Sequence, residues 1–131
     1  MYESTFRKNL VSALNKVGCY AIPIESATSP GFPDIVLGHW ATALIECKVI
    51  SSAMSQREFG KIFERNQLAF YHRWWRTQAN NLWCAVYVEK MKRAHAFRLH
   101  PADFAQSISD AVATRFSGSV GDVAAYIGGN T

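Results

Sequence analysis

Two short apolar segments on either side of a tight turn constrain this chain more than any other feature. Residues 34–38 and 43–50 are rich in Ile, Val and Leu, and the turn between them is centred on Trp40. This pattern predicts a β-hairpin. If Trp40 is the centre, residues whose numbers sum to 80 face each other, so Asp34 stands opposite Glu46. Lys48 then joins Glu46 on the same face, because side chains alternate along a strand.

This register would bring two carboxylates and one ammonium group together. Two carboxylates repel each other strongly unless a cation lies between them. Mg²⁺ and Mn²⁺ are the natural candidates because they prefer oxygen ligands, and the backbone carbonyl of Cys47 could supply a further ligand. Such an ion polarises a phosphoryl oxygen and activates water, while Lys48 would hold that water or neutralise charge on the phosphate. The hairpin therefore predicts metal-assisted phosphodiester hydrolysis.

The N-terminal segment predicts a helix over residues 2–17 that ends at Gly18. Its apolar stripe consists of Phe6, Leu10, Ala13, Leu14 and Val17. Glu3 falls on this stripe, where an unpaired carboxylate is costly, so we expect it to bind the same ion or to order a water on it. In the alternative interpretation Glu3 lies in a frayed first turn and interacts with the helix dipole. Glu25, in the polar loop before Asp34, competes for the same role.

The remaining segments predict a mixed α/β domain. We expect strands over 19–24, 82–89 and 94–99, a long helix over 56–80 and a helix from Pro101 to Arg115. The predicted order is helix, three strands, helix, two strands, helix. Residues 1–115 are expected to form one domain. Residues 116–131 are expected to form a C-terminal tail that is either a short helix near 120–127 or partly disordered.

Composition narrows the setting and the partners. The net charge is +4, and the odd number of cysteines, three, favours a reducing compartment and disfavours a zinc site. We find no signal peptide and no membrane-spanning run, so a cytoplasmic protein without a membrane partner is expected. Residues 57–98 contain nine basic residues and three acidic ones, which suits polyanion binding or else a solvated basic surface. Lys61 and Arg65, on the outer face of the predicted long helix, and Ser29, in the polar loop, are candidate DNA contacts; a simple turn is the alternative for Ser29.

These residues together resemble the PD-(D/E)xK nuclease superfamily. The matching pieces are residues 31–37 (GFPDIVL), residues 45–48 (IECK) and Gln67 on the following helix. Within the superfamily the chain resembles VRR-NUC domains and archaeal-type Holliday junction resolvases. The resemblance implies a restriction-endonuclease-like αβββαβ core with a mixed central sheet flanked by helices. It also implies dependence on Mg²⁺ and cleavage of DNA.

The resemblance also assigns roles to individual residues. Asp34 and Glu46 would be metal ligands, and Lys48 would be the catalytic lysine. Glu3 would be the acid of the N-terminal helix, and Gln67 the accessory glutamine.

The leading hypothesis is an Mg²⁺- or Mn²⁺-dependent endonuclease that cuts branched DNA such as Holliday junctions or flaps. The sequence has no recognition-helix motif and no zinc module, which favours structure-specific over sequence-specific cutting. A homodimer is expected because junctions have near-symmetric arms, and the small size suggests a bacterial or phage setting. The alternatives are a sequence-specific restriction-type endonuclease and a non-catalytic DNA-binding protein that retains the nuclease fold.

Overall fold

The computed structural model describes residues 1–24 and 30–131. Glu25 and Ser29, two residues singled out by the sequence, lie outside this part of the chain. The helices are α1 (Glu3–Lys16), α2 (Arg65–Trp75), α3 (Ile108–Ala113) and α4 (Val120–Gly129). The strands are β1 (Tyr20–Pro23), β2 (Ile35–Gly38), β3 (Thr42–Ile50), β4 (Leu82–Val88), β5 (Arg93–Arg98) and β6 (Phe116–Gly118). Two 3₁₀ turns cover Phe59–Ile62 and Pro101–Ala105.

The six strands form one mixed sheet in the order β1-β2-β3-β4-β5-β6. Neighbouring strands are antiparallel except for β3 and β4, which are parallel. Parallel neighbours need a long crossover connection, and here residues 51–81, which include α2, provide it. Strand β3 therefore lies in the interior of the sheet, and most of its residues are buried.

Helices cover both faces of the sheet and enclose two hydrophobic clusters. On one face, α1 and α4 pack through Phe6, Leu10, Leu14, Val123, Ala124 and Ile127. On the other face, α2, α3 and the turn at Phe59–Ile62 pack through Phe59, Phe63, Tyr71, Ile108 and Ala111. Alternate residues of β3 contribute to each cluster, as the period-two pattern of a strand requires. Among the described residues, no helix is long and apolar enough to cross a membrane.

The predicted hairpin is confirmed with its register. Ile35 pairs with Ile45 and Gly38 with Thr42, so partner numbers sum to 80. The turn is closed by a hydrogen bond from the His39 N–H to the Ala41 carbonyl, at 3.1 Å. Ile45 and Cys47 pack in the α1 face of the core, which leaves Glu46 and Lys48 on the α2 face.

The predicted long helix over 56–80 is wrong. Phe63 and Glu64 have extended backbones, with ψ of 147° and 158°, and they separate the 3₁₀ turn from α2. The helix ends at Trp75, and Gln78 and Asn80 adopt left-handed φ values of 60° and 48° soon afterwards. Apolar periodicity alone did not reveal these breaks, because the aromatic residues pack in one cluster on both sides of them.

The C-terminal third also differs from expectation. The predicted helix over 101–115 is interrupted at Gln106, whose backbone is extended with ψ of 159°, and α3 begins only after Ser107 caps it. At the other end of the chain, Val17 after α1 also differs from expectation: it is 44 % exposed and does not continue the buried stripe of α1. The helix expected near 120–127 is present as α4, with Val123, Ala124 and Ile127 in the core, whereas β6 was not expected.

Candidate active site

The candidate site lies where β2 and β3 diverge. Their pairing ends at Ile35 and Ile45, whereas β3 continues to Ile50. Asp34 is the last residue before β2, and its Oδ2 accepts a hydrogen bond of 2.8 Å from the Cys47 N–H. The carboxylate of Asp34 thus takes the place of the backbone carbonyl that a neighbouring strand would offer to Cys47. This hydrogen bond holds Asp34 beside β3.

Glu46 and Lys48 project from β3 into the space under α2. Their side chains are almost completely buried, at 1 % and 8 % exposed. Lys48 Nζ lies 3.7 Å from Glu46 Oε2, and it also lies 5.2 Å from the centre of the Phe63 ring. A buried ammonium is costly unless an opposite charge and hydrogen-bond acceptors surround it, so this pair needs a further partner.

Gln67 is that partner. Its Nε2 donates to Glu46 Oε2 at 2.8 Å, and its Oε1 accepts from Lys48 Nζ at 3.0 Å. The same Oε1 accepts from the Glu64 N–H at 2.9 Å, which satisfies a free donor at the start of α2. One amide therefore fixes both the first turn of the helix and the polar side chains of β3.

The environment of Glu46 disfavours its charged form. Burial and the nearby charge of Asp34 raise the pKa of Glu46 to about 9, against the opposing effect of Lys48. Glu46 Oε1 and the Tyr71 hydroxyl are both buried and have no hydrogen-bond partner among the described residues. Tyr71 nevertheless lies close enough to lower the pKa of Glu46. The orphaned Oε1 marks a position where a cation or a proton would stabilise the site.

Sequence reasoning missed Arg7 and Tyr71. Arg7 Nη1 lies 3.9 Å from Asp34 Oδ1 and partly offsets its charge. Tyr71 is fully buried on α2, one helical turn after Gln67. Their positions relative to the acidic pair depend on how α1 and α2 pack on the sheet. The spacing of Gln67 and Tyr71, four residues apart on one helix, is the only sequence signal that could have suggested Tyr71.

Glu3 lies in the electrostatic range of the site but does not contact it. Glu3 is exposed and does not join the buried stripe of α1 formed by Phe6, Leu10 and Leu14. Partial burial of its carboxylate raises the pKa of Glu3, Lys48 lowers it and Asp34 raises it again. Among the described residues, no hydrogen bond or ion pair connects Glu3 to the other site residues. The structure therefore places the N-terminus of α1 near the site, and Glu3 has no defined partner within residues 1–24 and 30–131.

The donor set fits a hard divalent cation. Among the described residues there is no cluster of three or more His, Cys, Asp or Glu side chains with metal-binding geometry. The donors that the site offers are the carboxylates of Asp34 and Glu46, with the Cys47 carbonyl as a main-chain candidate. Carboxylate and carbonyl oxygens are the ligands that Mg²⁺ and Mn²⁺ prefer, and Glu46 Oε1 is buried with no hydrogen-bond partner in the described part of the chain.

The candidate DNA contacts do not share one helix as expected. Lys61 belongs to the 3₁₀ turn, whereas Arg65 is the first residue of α2, and both side chains are exposed. The break at Phe63 and Glu64 separates them. Ser29 falls outside the described residues.

Comparison with known proteins supports the architecture. No family model and no curated protein matches the sequence. Among solved structures, the chain is similar to Hjc, a Holliday junction resolvase from the archaeal hyperthermophile Archaeoglobus fulgidus. The TM-score is 0.63 at 18 % sequence identity, and the match covers 94 % of this chain and 98 % of the resolvase. The predicted fold class, a nuclease-like mixed sheet flanked by helices, is therefore confirmed.

Proposed function

We propose that this chain is a metal-dependent endonuclease that hydrolyses phosphodiester bonds in branched DNA, such as Holliday junctions or flaps. One observation carries the proposal: Asp34, Glu46, Lys48 and Gln67 converge at the point where β2 and β3 diverge. The fold shared with a Holliday junction resolvase supports this function and the branched substrate.

In this proposal Asp34, Glu46 and the Cys47 carbonyl would hold Mg²⁺ or Mn²⁺. When bound, the ion supplies a Lewis acid for the phosphate and lowers the pKa of a coordinated water. Lys48 holds that water or neutralises charge on the phosphate, because its ammonium lies beside Glu46. Gln67 keeps Lys48 and Glu46 in place, and Glu3 is proposed to order a water near the ion. Glu25, outside the described residues, is the alternative for that last role.

The proposed DNA partner follows from the charge distribution and the fold. The basic residues Arg65 and Lys61, together with Ser29, which lies outside the described residues, are proposed backbone contacts. A homodimer is proposed because a four-way junction presents two equivalent cleavage positions. Neither statement depends on the metal, so DNA binding and oligomeric state can be measured separately from cleavage.

Cleavage assays with defined substrates test this function. We expect the protein to cut four-way junctions or flaps with Mg²⁺ or Mn²⁺ and to be inactive in EDTA. Asp34→Asn and Lys48→Met should each lower the cleavage rate by about 100-fold or more, because each removes a group that acts on the scissile phosphate. Asp110→Asn, an exposed carboxylate on α3, is the matched control and should leave the rate unchanged.

Each other outcome selects a different function. Cleavage that persists in EDTA or in Asp34→Asn would contradict the metal mechanism. Discrete fragments from a long unbranched duplex would indicate a restriction-type endonuclease. Binding of junctions without cleavage under any divalent metal would indicate a non-catalytic DNA-binding protein.

A further inference from the structure

A polar cleft of about 370 Å³ opens where the chain leaves β3. Its polar wall is formed by three serines and two basic residues, and no acidic side chain in the described part of the chain lines it: Ser51, Ser52, Ser55, Arg57 and Lys61. We call this space the post-β3 cleft. A concave surface with hydroxyl donors and cations, and without carboxylates, has the composition of an anion-binding site.

The backbone around the post-β3 cleft is held in place by its own hydrogen bonds. Ser52 Oγ accepts from the Met54 N–H and Ser55 Oγ accepts from the Arg57 N–H, both at 3.1 Å. The segment is also tied to the start of α3, because the Arg57 carbonyl accepts from the Ile108 N–H at 2.8 Å. In these bonds both serine hydroxyls are acceptors, so their O–H groups remain free to donate to a ligand.

The two cations of the cleft are available for a ligand. Arg57 Nη2 donates to the Lys61 carbonyl at 3.1 Å, which leaves the rest of the guanidinium free. Among the described residues, neither Arg57 nor Lys61 forms an ion pair with a carboxylate. Both side chains are exposed at the mouth of the cleft.

The post-β3 cleft adjoins the candidate active site. Ser51 follows Lys48 by three residues, which is about 10 Å along an extended strand. On the other side, Phe63 follows Lys61 by two residues, and the Lys48 ammonium lies 5.2 Å from its ring.

We propose that the post-β3 cleft is a phosphate subsite that binds a backbone phosphate of the DNA strand being cut, close to the scissile bond. That the bound phosphate belongs to the DNA strand being cut rests on the proposed nuclease function. The subsite would fix the position of the strand relative to Lys48 without reading its sequence, because phosphate contacts are independent of the bases.

The salt dependence of DNA binding tests the subsite without relying on cleavage. The affinity for a labelled four-way junction is measured in EDTA between 50 and 200 mM salt, a range over which phosphate contacts dominate binding. Each lost phosphate contact should reduce the slope of log affinity against log salt by about 0.9. We expect Lys61→Gln to show this reduction with every junction sequence. The double variant, which combines Arg57→Gln with Lys61→Gln, should show a reduction at least as large.

Lys16→Gln is the matched control. Lys16 is an exposed lysine in the last turn of α1, about 20 Å along the helix from Glu3, and its substitution should leave the slope unchanged. If Lys61→Gln behaves like Lys16→Gln, the subsite is wrong. Lys61→Gln alone decides the test if the double variant is unstable, because the Lys61 ammonium has no partner to lose among the described residues. If the wild-type protein binds DNA but never cuts it, the nuclease function is wrong. The salt-dependence slopes of the wild-type protein and Lys61→Gln can still be compared in that case, so the phosphate subsite is tested separately.

A titration with inorganic phosphate separates the two possible sources of the ligand. The amide NMR signals of residues 51–61 should shift with a short DNA duplex at concentrations where inorganic phosphate has no effect. Equal shifts with inorganic phosphate, together with an unchanged salt slope in Lys61→Gln, would show a site for a free anion and overturn the proposal.

Discussion

At the residue scale, Gln67 connects two structures that the sequence presents separately. Its amide caps the first turn of α2 through the Glu64 N–H and bridges Glu46 and Lys48 on β3. A helix-edge glutamine is ordinarily a surface residue, so only the resemblance to a nuclease superfamily pointed to it. The capping role was not apparent because the expected helix did not begin at Glu64.

Gln67→Glu separates the two roles of this side chain. Glutamate at the third position of a helix also satisfies a capping box, so α2 should remain intact by circular dichroism. A carboxylate can no longer donate to Glu46 and adds a third acid to the site, so we expect cleavage to fall by about 10- to 100-fold. Gln67→Ala should lose the cap as well, which should lower the free energy of unfolding measured in urea by about 1 kcal/mol. Wild-type cleavage by Gln67→Glu would show that the bridge to Glu46 is dispensable.

His95 on β5 is the second residue whose surroundings set a measurable property. It is buried, and neither ring nitrogen has a hydrogen-bond partner among the described residues. Burial, and after it the charge of Arg93, lower the pKa of His95 below its ordinary value of 6.5. The folded protein therefore binds this proton less readily than the unfolded chain does.

Stability should consequently fall as the pH drops below 6.5. As the pH falls, the unfolded chain takes up the proton before the folded protein does. The free energy of unfolding is therefore fully maintained above pH 6.5 and decreases as the pH falls from 6.5 towards the lower pKa of folded His95. Urea unfolding between pH 7 and pH 5 measures the loss, and His95→Gln should show a shallower dependence because the amide does not titrate. Parallel curves for the two proteins would rule out a contribution from His95.

At the element scale, the segment before β2 is locked against the start of α2. Gly31 has a left-handed φ of +85°, and a Cβ at this position would lie 2.2 Å from the Asn66 carbonyl oxygen. The ring of Phe32 also packs edge-on against Phe70 of α2 at 5.3 Å. This close approach couples the position of Asp34 to that of Gln67, which follows Asn66 directly.

Gly31→Ala should therefore be strongly destabilising. The left-handed backbone and the clash with a main-chain atom together should cost at least about 2 kcal/mol. Gly129→Ala is the matched control, because a Cβ at Gly129 meets no atom within 4 Å. Urea unfolding compares the two variants. A loss no larger in Gly31→Ala than in Gly129→Ala would mean that this approach is not maintained in solution.

At the scale of the whole molecule, the last sixteen residues complete both the sheet and the core. Strand β6 pairs with β5, and α4 places Val123, Ala124 and Ile127 against α1 and the sheet. The expectation that residues 1–115 form the domain came from weak periodicity and several glycines in the tail. Such a pattern does not reveal that a short helix covers apolar residues of α1 and β5.

Removal of residues 116–131 tests that domain limit. The shortened chain would expose the buried side of α1 together with the inner face of β5, so we expect it to lose cooperative thermal unfolding and its near-ultraviolet circular dichroism. Deletion of Thr131 alone is the control and should have little effect. Cooperative unfolding of the 1–115 chain at an unchanged midpoint would instead support the limit inferred from the sequence.

The sequence by itself determined the hairpin, its register and the placement of Glu46 and Lys48 on one face. These features depend on alternation and on a short turn, which are local properties of neighbouring residues. Only the tertiary structure decided the partners of these side chains: Gln67, Tyr71 and Arg7. Those contacts join residues 19 to 27 positions apart along the chain, and no local pattern encodes how α1 and α2 pack on the sheet.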